Sequence, residues 1–197
     1  TTLAANFKDA IAIMVTVQNL IMYAVLAFIY SITAVVFPRF TMLAARNDME
    51  GFRNSLEKVL KSVIYFLIPA TFGFIAVRHQ LVNFLYGWGR VTSDNVTLGS
   101  SIFALYALGV TGIGIKEVID RAFYSLKDTR RPAYNGVIIM CVNIVLSLIF
   151  ITFMGVLGIP LANSISSLTG TVVLFVMLRK KIGSFGGAGI AVTAAKS

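Results

Sequence analysis

The chain has 197 residues and a formal net charge of +9; 57% of it is hydrophobic and only 13% charged. A soluble domain of that length cannot keep so much apolar side chain out of water, so a bilayer is the expected solvent. A positive balance in a soluble protein would point to nucleic acid, but here the Lys and Arg sit between long apolar runs, which excludes that partner.

Residues 1–9 are polar and read as an outer loop ahead of a membrane domain over 10–183. Span one covers about 10–38, without a charged side chain over 10–37, and is expected to stop at Pro38-Arg39. It exceeds the roughly 20 helical residues that cross a hydrocarbon core, so tilt or extension beyond the bilayer follows. Asn47-Asp48 then offers a helix N-cap. Met49, Phe52, Leu56, Val59 and Leu60 share one face after it, while Arg53, Glu57, Lys58 and Lys61 share the other. That pattern predicts an amphipathic helix over 47–61 lying on the cytoplasmic surface.

Span two, about 62–78, contains Pro69, which frees a carbonyl and predicts a kink. Lys61 and Arg78 at its ends can snorkel to the interfaces. Residues 81–88 are aromatic and apolar, as an interfacial segment would be. Gly87, Gly89 and Thr92-Ser93-Asp94-Asn95 predict a turn and a capped start for span three, about 96–126. Spans four and five, about 133–153 and 155–178, are joined so tightly that they must form an antiparallel hairpin. A small-residue tail occupies 184–197. The fold class is all-α, integral to the membrane, with five transmembrane helices.

Charge sets an orientation. Arg39, Arg46, Arg53, Lys58 and Lys61 follow span one; Lys127, Arg130 and Arg131 separate spans three and four; Arg179, Lys180 and Lys181 close span five. The alternate connectors hold only Arg78 and Arg90, or nothing. Basic loops stay in the cytoplasm, so the N-terminus is expected outside and the C-terminus inside, as five crossings require. No basic region with a short apolar run marks a signal peptide, so an internal piece of a longer polytopic protein is expected.

Polar residues inside spans must find partners or line a wet cavity. Gln18 and Asn19 are the most suggestive pair, in a stretch otherwise nearly apolar. On span three, Lys116 with Asp120 and Glu117 with Arg121 stand four apart and can pair along the helix, at its cytoplasmic end or at the mouth of a polar cavity. Gly158, Ala162, Ser166 and Gly170 form a small-residue stripe that favours close helix packing. Asn143, Ser147, Asn163, Ser164, Ser167 and Thr169 read as interhelical hydrogen-bonding groups, with a cation or substrate site as the alternative, and counting from the hairpin turn does not require Asn143 and Asn163 to meet at one level. His79 has no ligand-spaced companion, and Cys141 is the sole cysteine, placed as apolar filler. No nucleophile–base pair, metal cluster or phosphate loop stands out, so neither an enzyme nor a cofactor is expected.

Several segments resemble the MurJ/MviN family of lipid II flippases, within the multidrug/oligosaccharidyl-lipid/polysaccharide exporter superfamily. The clearest runs from Arg121-Ala122-Phe123-Tyr124 through Asp128-Thr129 to Pro132, similar to the family's RAFYA-x-x-DT-x-TP, with Arg131 in place of its second Thr. Val35-Val36-Phe37-Pro38, Asp48-Met49-Glu50-Gly51-Phe52, Val82-Asn83-Phe84-Leu85-Tyr86, Tyr106-Ala107-Leu108-Gly109 and Gly158-Ile159-Pro160-Leu161-Ala162-Asn163-Ser164 follow in collinear order. The resemblance implies that the five spans are helices eight to twelve of fourteen, forming most of the second lobe of a two-lobe exporter, with the first lobe absent. It also implies outward movement of a lipid-linked peptidoglycan precursor by alternating access in a bacterial cytoplasmic membrane.

Family members carry a cavity-facing Arg where this chain has Asn19, in Thr16-Val17-Gln18-Asn19-Leu20. Gln18, Asn19, Lys116 and Arg121 are the expected substrate contacts, and Pro69, Gly109, Gly112 and Gly114 the expected bending points. The expected partners are the lipid-linked precursor, membrane lipids and the missing N-terminal lobe. A related exporter of polysaccharide-lipid or drugs and a non-transporting membrane scaffold are the alternatives.

Overall fold

The computed structural model describes residues 2–86 and 93–183, with side chains left aside at 2–13, 24, 85–86 and 93–95. The tail at 184–197 and the turn residues Gly87, Trp88, Gly89 and Thr92 lie outside the described residues.

Helix α1 runs unbroken over Thr2–Ala45. The polar stretch expected as an outer loop over 1–9 is its first turns from Thr2 onward. Pro38 does not end it: the helix absorbs the missing N–H and continues to Ala45, since a long helix with packed neighbours tolerates an interior proline. The turn comes at Asn47, whose φ is 55°.

Asp48 then caps α2, Met49–Ala76, its Oδ1 accepting the Gly51 N–H at 2.8 Å. Residues 47–61 do not form a separate surface helix, because α2 includes them together with span two. Phe52, Leu56, Leu60, Val63 and Leu67 make one continuous buried stripe across the expected boundary. The apolar face that the sequence assigned to lipid is packed on protein instead, with the Phe40 and Phe52 rings 5.2 Å apart.

After the short helix α3, Arg78–Tyr86, helix α4 spans Ser93–Ser125 and is the axis of the lobe. Helices α1, α2, α3 and α6 all pack on it, and Phe103, Val110, Ile119, Ala122 and Phe123 of α4 are wholly enclosed. Helix α5, Arg130–Met154, a 3₁₀ turn at Gly155–Leu157 and α6, Gly158–Ile182, make the expected hairpin. Gly155 turns it with φ of 59°. Helix α6 lies between α4 and α5, whereas α5 touches little but α6. Its outer face is bare: Tyr134, Val137, Met140, Leu148 and Phe153 are exposed, and Cys141 opens there too. Among the described residues, four stretches are long and apolar enough to cross a membrane, and the last of them, Arg130–Ile182, is this hairpin, giving five crossings.

The glycines expected to bend α4 lie at close approaches to its neighbours. A Cβ at Gly109 would strike Ser164, one at Gly112 would meet Leu168, and one at Gly114 would overlap Leu67 and Ile29. The helix stays continuous through all three.

Candidate functional site

Adjacent residues on a helix point about 100° apart, so Gln18 and Asn19 face different directions. Gln18 turns inward, its Oε1 accepting the Tyr106 hydroxyl at 3.2 Å. Asn163 of α6 stands beside the same phenol, and with Gly109 and Ser164 these side chains line a space of about 10 Å³. Three helices thus meet at one polar knot. Asn19 turns outward and is exposed, as are Tyr23 and Tyr30 on the same face. Tyr106 was missed in the sequence as a partner for Gln18: an aromatic residue inside an apolar run gives no sign that its hydroxyl will be used.

The charges of α4 pair as their spacing predicts. Lys116 donates to Asp120 Oδ2 at 2.6 Å, and Arg121 donates through Nη2 to Glu117 Oε1 at 2.9 Å. The pairs differ in setting. Asp120 is buried, with its Oδ1 lacking a hydrogen-bond partner among the described residues. Arg121 instead reaches across to α1, its guanidinium carbon 5.9 Å from the centre of the Tyr30 ring. There it borders an open groove of about 310 Å³ lined by Tyr30, Thr33, Ala34, Phe37 and Pro38. The structure therefore divides the four expected site residues. Asn19 and Arg121 reach the open face of α1, while Gln18 and Lys116 are held by neighbours.

The hairpin's polar groups are interhelical. Asn143 Nδ2 donates to Ser166 Oγ at 3.2 Å. Ser164 and Thr171 donate to the backbone carbonyls of Leu105 and Gly112 at 2.5 and 2.8 Å, stitching α6 to α4. The small stripe faces α5: a Cβ at Gly158 would strike the Phe150 backbone, and one at Gly170 would overlap Ile139. Asn135 is wholly enclosed, and neither of its amide atoms has a hydrogen-bond partner among the described residues. His79 Nδ1 meets Ser100 Oγ at 3.4 Å. Since that hydroxyl donates to the Thr97 carbonyl, it accepts from the imidazole. Among the described residues no three His, Cys, Asp or Glu gather as metal ligands.

One node was not foreseen. Asp128, in the turn between α4 and α5, binds Lys181 at the end of α6 at 2.5 Å and Arg131 at 3.6 Å. The Lys181 hydrogen bond, more than any other influence, holds the Asp128 carboxyl below the usual carboxylate range. Lys181 also stands 6.0 Å from the Phe123 ring centre. Fifty-three positions separate Asp128 from Lys181 in the chain, too far for any local spacing rule to join them.

A family model described as lipid II flippase MurJ matches residues 1–197. The lipid II flippase MurJ of Thermosipho africanus is 31% identical over 145 residues, covering 74% of this chain and 30% of that protein. The probable lipid II flippase MurJ of Thermotoga maritima is 29% identical over 140 residues, covering 71% and 29%. A solved structure described as lipid II flippase MurJ, inward closed conformation, matches with a TM-score of 0.81 and 26% identity, over 94% of this chain and 38% of that one. The chain thus spans about a third of the length of these proteins.

Proposed function

Because this chain belongs to the lipid II flippase MurJ family, we propose that it forms most of one lobe of a transporter that flips a lipid-linked peptidoglycan precursor across the bacterial cytoplasmic membrane. Its five long helices correspond in this reading to helices eight to twelve of fourteen. A further lobe, absent here, completes the cavity, and the two rock against each other around the bound headgroup. The N-terminus lies outside and the C-terminus, after Arg179, Lys180 and Lys181, inside. Membrane lipids cover the bare face of α5.

The observation that carries this reading is the open face of α1. Asn19 and Arg121 sit where a second lobe would enclose a polar headgroup, and we assign the substrate contacts to them. Gln18 and Lys116 act as positioning residues, the first fixing the rotation of α1 and the second neutralising Asp120. Nothing in this arrangement makes or breaks a covalent bond.

The test is transport by the full-length protein in proteoliposomes loaded with a fluorescent lipid-linked precursor. Arg121→Ala is expected to slow transport about tenfold or more, the effect of losing a charge-assisted hydrogen bond worth about 1.5–3 kcal/mol. Asn19→Ala should slow it less. A well-folded protein that moves a polyprenyl-linked polysaccharide unit but not the precursor would give the reading to a related exporter, which the uncharged Asn19 favours. Capture of wall-synthesis enzymes without any transport would give it to a scaffold.

A further inference from the structure

We propose that the seam between α5 and α6 is a water site, with ordered water held by Asn135 between Arg131 on one side and Ser167 on the other. The inference is independent of the transport reading. It turns a seam whose small residues suggest dry backbone contact into a polar inlet that starts at the basic end of the lobe.

The unmet polar atoms are concentrated there. Six enclosed side-chain atoms lack a hydrogen-bond partner among the described residues, and four of them belong to this hairpin: Arg131 Nη1, both amide atoms of Asn135, and Ser167 Oγ. Such atoms are rare in folded proteins, and each calls for a partner. Asn135 is wholly enclosed. With Pro132 it makes up the buried part of α5, so neither lipid nor bulk solvent reaches it.

Ser167 departs from its neighbours. A serine or threonine inside an apolar helix commonly closes its hydroxyl onto the carbonyl three or four residues back. Ser166 does so on Asn163, Thr169 on Ile165 and Thr171 on Ser167, while Ser164 reaches the Leu105 carbonyl of α4. Among the described residues of α6, Ser167 is the hydroxyl that does neither.

The three side chains follow one another along the seam. Asn135 stands over Gly170, where an added Cβ would come 3.6 Å from its Nδ2. Ser167 precedes Gly170 by about 4.5 Å along α6, and Arg131 precedes Asn135 by about 6 Å along α5. The Arg131 end joins the basic turn, with Nε 3.6 Å from Asp128 Oδ2. The Ser167 end adjoins the bond between Asn143 and Ser166.

The kind of atom left unmet selects the ligand. Asn135 leaves a donor and an acceptor open on one amide. An anion would serve only the donor. A cation would serve only the acceptor and would stand one turn from a guanidinium. Water gives and takes, as buried water does when it bonds otherwise unmet groups. Within hydrocarbon an unsatisfied amide has no other solvent to turn to.

The experiment uses the full-length protein and has three readouts. A crystallographic or cryo-EM map of wild type at about 2 Å or better is expected to show ordered density within hydrogen-bond distance of both Asn135 amide atoms. An amide walled in by carbon, with no such density, overturns the proposal, and this readout stands even where a variant fails to fold. Thermal unfolding in detergent then compares wild type with Asn135→Leu, which keeps the bulk and removes both polar atoms. Bound water predicts an equal or lower melting temperature, because the water and its other partners lose the amide. A rise of several degrees, as expected on replacing a dry and unpaired amide, overturns the proposal. Sodium titration of the same two proteins tests the ligand. Equal responses support water, whereas stabilisation by sodium that disappears in Asn135→Leu puts a metal ion there instead and overturns it.

Discussion

Helix α4 has two seams, and they differ in where their polar groups go. Toward α6 it presents Gly109 and Gly112, lets the backbones close, and receives Ser164 and Thr171 on its own carbonyls. Toward α1 it presents Tyr106 and Arg121, whose hydroxyl and guanidinium meet Gln18 and the Tyr30 ring, with Gly114 closing on Ile29 between them. The first seam ends in packed side chains. The second starts in a polar knot and opens into a groove. A lobe that moves as one body needs the first kind of contact, while a lobe that handles a headgroup needs the second.

Four measurements break or sharpen that contrast, each by thermal unfolding in detergent. Gly109→Leu should be worst, costing about 3 kcal/mol or failing to fold, because a side chain there must displace the Ser164 backbone. Tyr106→Phe should cost about 1.5 kcal/mol by leaving Gln18 Oε1 without its donor. Adding Gln18→Leu should recover part of that loss, a coupling that a double-mutant cycle reads directly. Ser164→Ala should cost about 0.6–1 kcal/mol, the usual scale of an interhelical hydrogen bond in a membrane. A Tyr106→Phe cost below that of Ser164→Ala would reverse the roles assigned to the two seams.

The smallest effect is expected at the turn, where Asp128 ties α5 to the end of α6. Its carboxyl titrates below the usual range in the folded protein, so its contribution is complete above the unfolded value of about 3.9 and fades as pH falls through the lowered folded one. Asp128→Asn should therefore lower the melting temperature at pH 7, and the difference from wild type should shrink at acid pH below that range. A constant difference across pH would mean that the tie is steric.

How much of this was legible in the chain follows from what helical spacing encodes. Pairs four apart on one helix, Lys116 with Asp120 and Glu117 with Arg121, were readable because both partners share an element. So were the hairpin and the Asp48 cap. What covers a face was not readable. Phe52, Leu56 and Leu60 suit lipid or protein equally, and the structure gives them protein. Gly109, Gly112 and Gly114 suit bending or close approach, and only their neighbours show the close approach. Pro38 looked like a stop because a proline's local cost is visible in sequence, whereas the tertiary packing that absorbs it is not. Of the four expected contacts, the split between Gln18 and Asn19 required knowing which side of α1 meets α4. Asn143 finds its partner in Ser166, which lies on the small-residue stripe that the sequence assigned to backbone contact.

The 3₁₀ turn at Gly155–Leu157 reaches beyond geometry to how the lobe enters the membrane. Helix α6 carries Asn163, Ser164, Ser166, Ser167, Thr169 and Thr171 within nine positions, a heavy polar load for a segment inserted alone. Helix α5 is among the most oily elements, and a three-residue link keeps the pair adjacent from synthesis onward. The two can partition into lipid as one preassembled hairpin, with α5 screening its neighbour's hydroxyls until α4 accepts them.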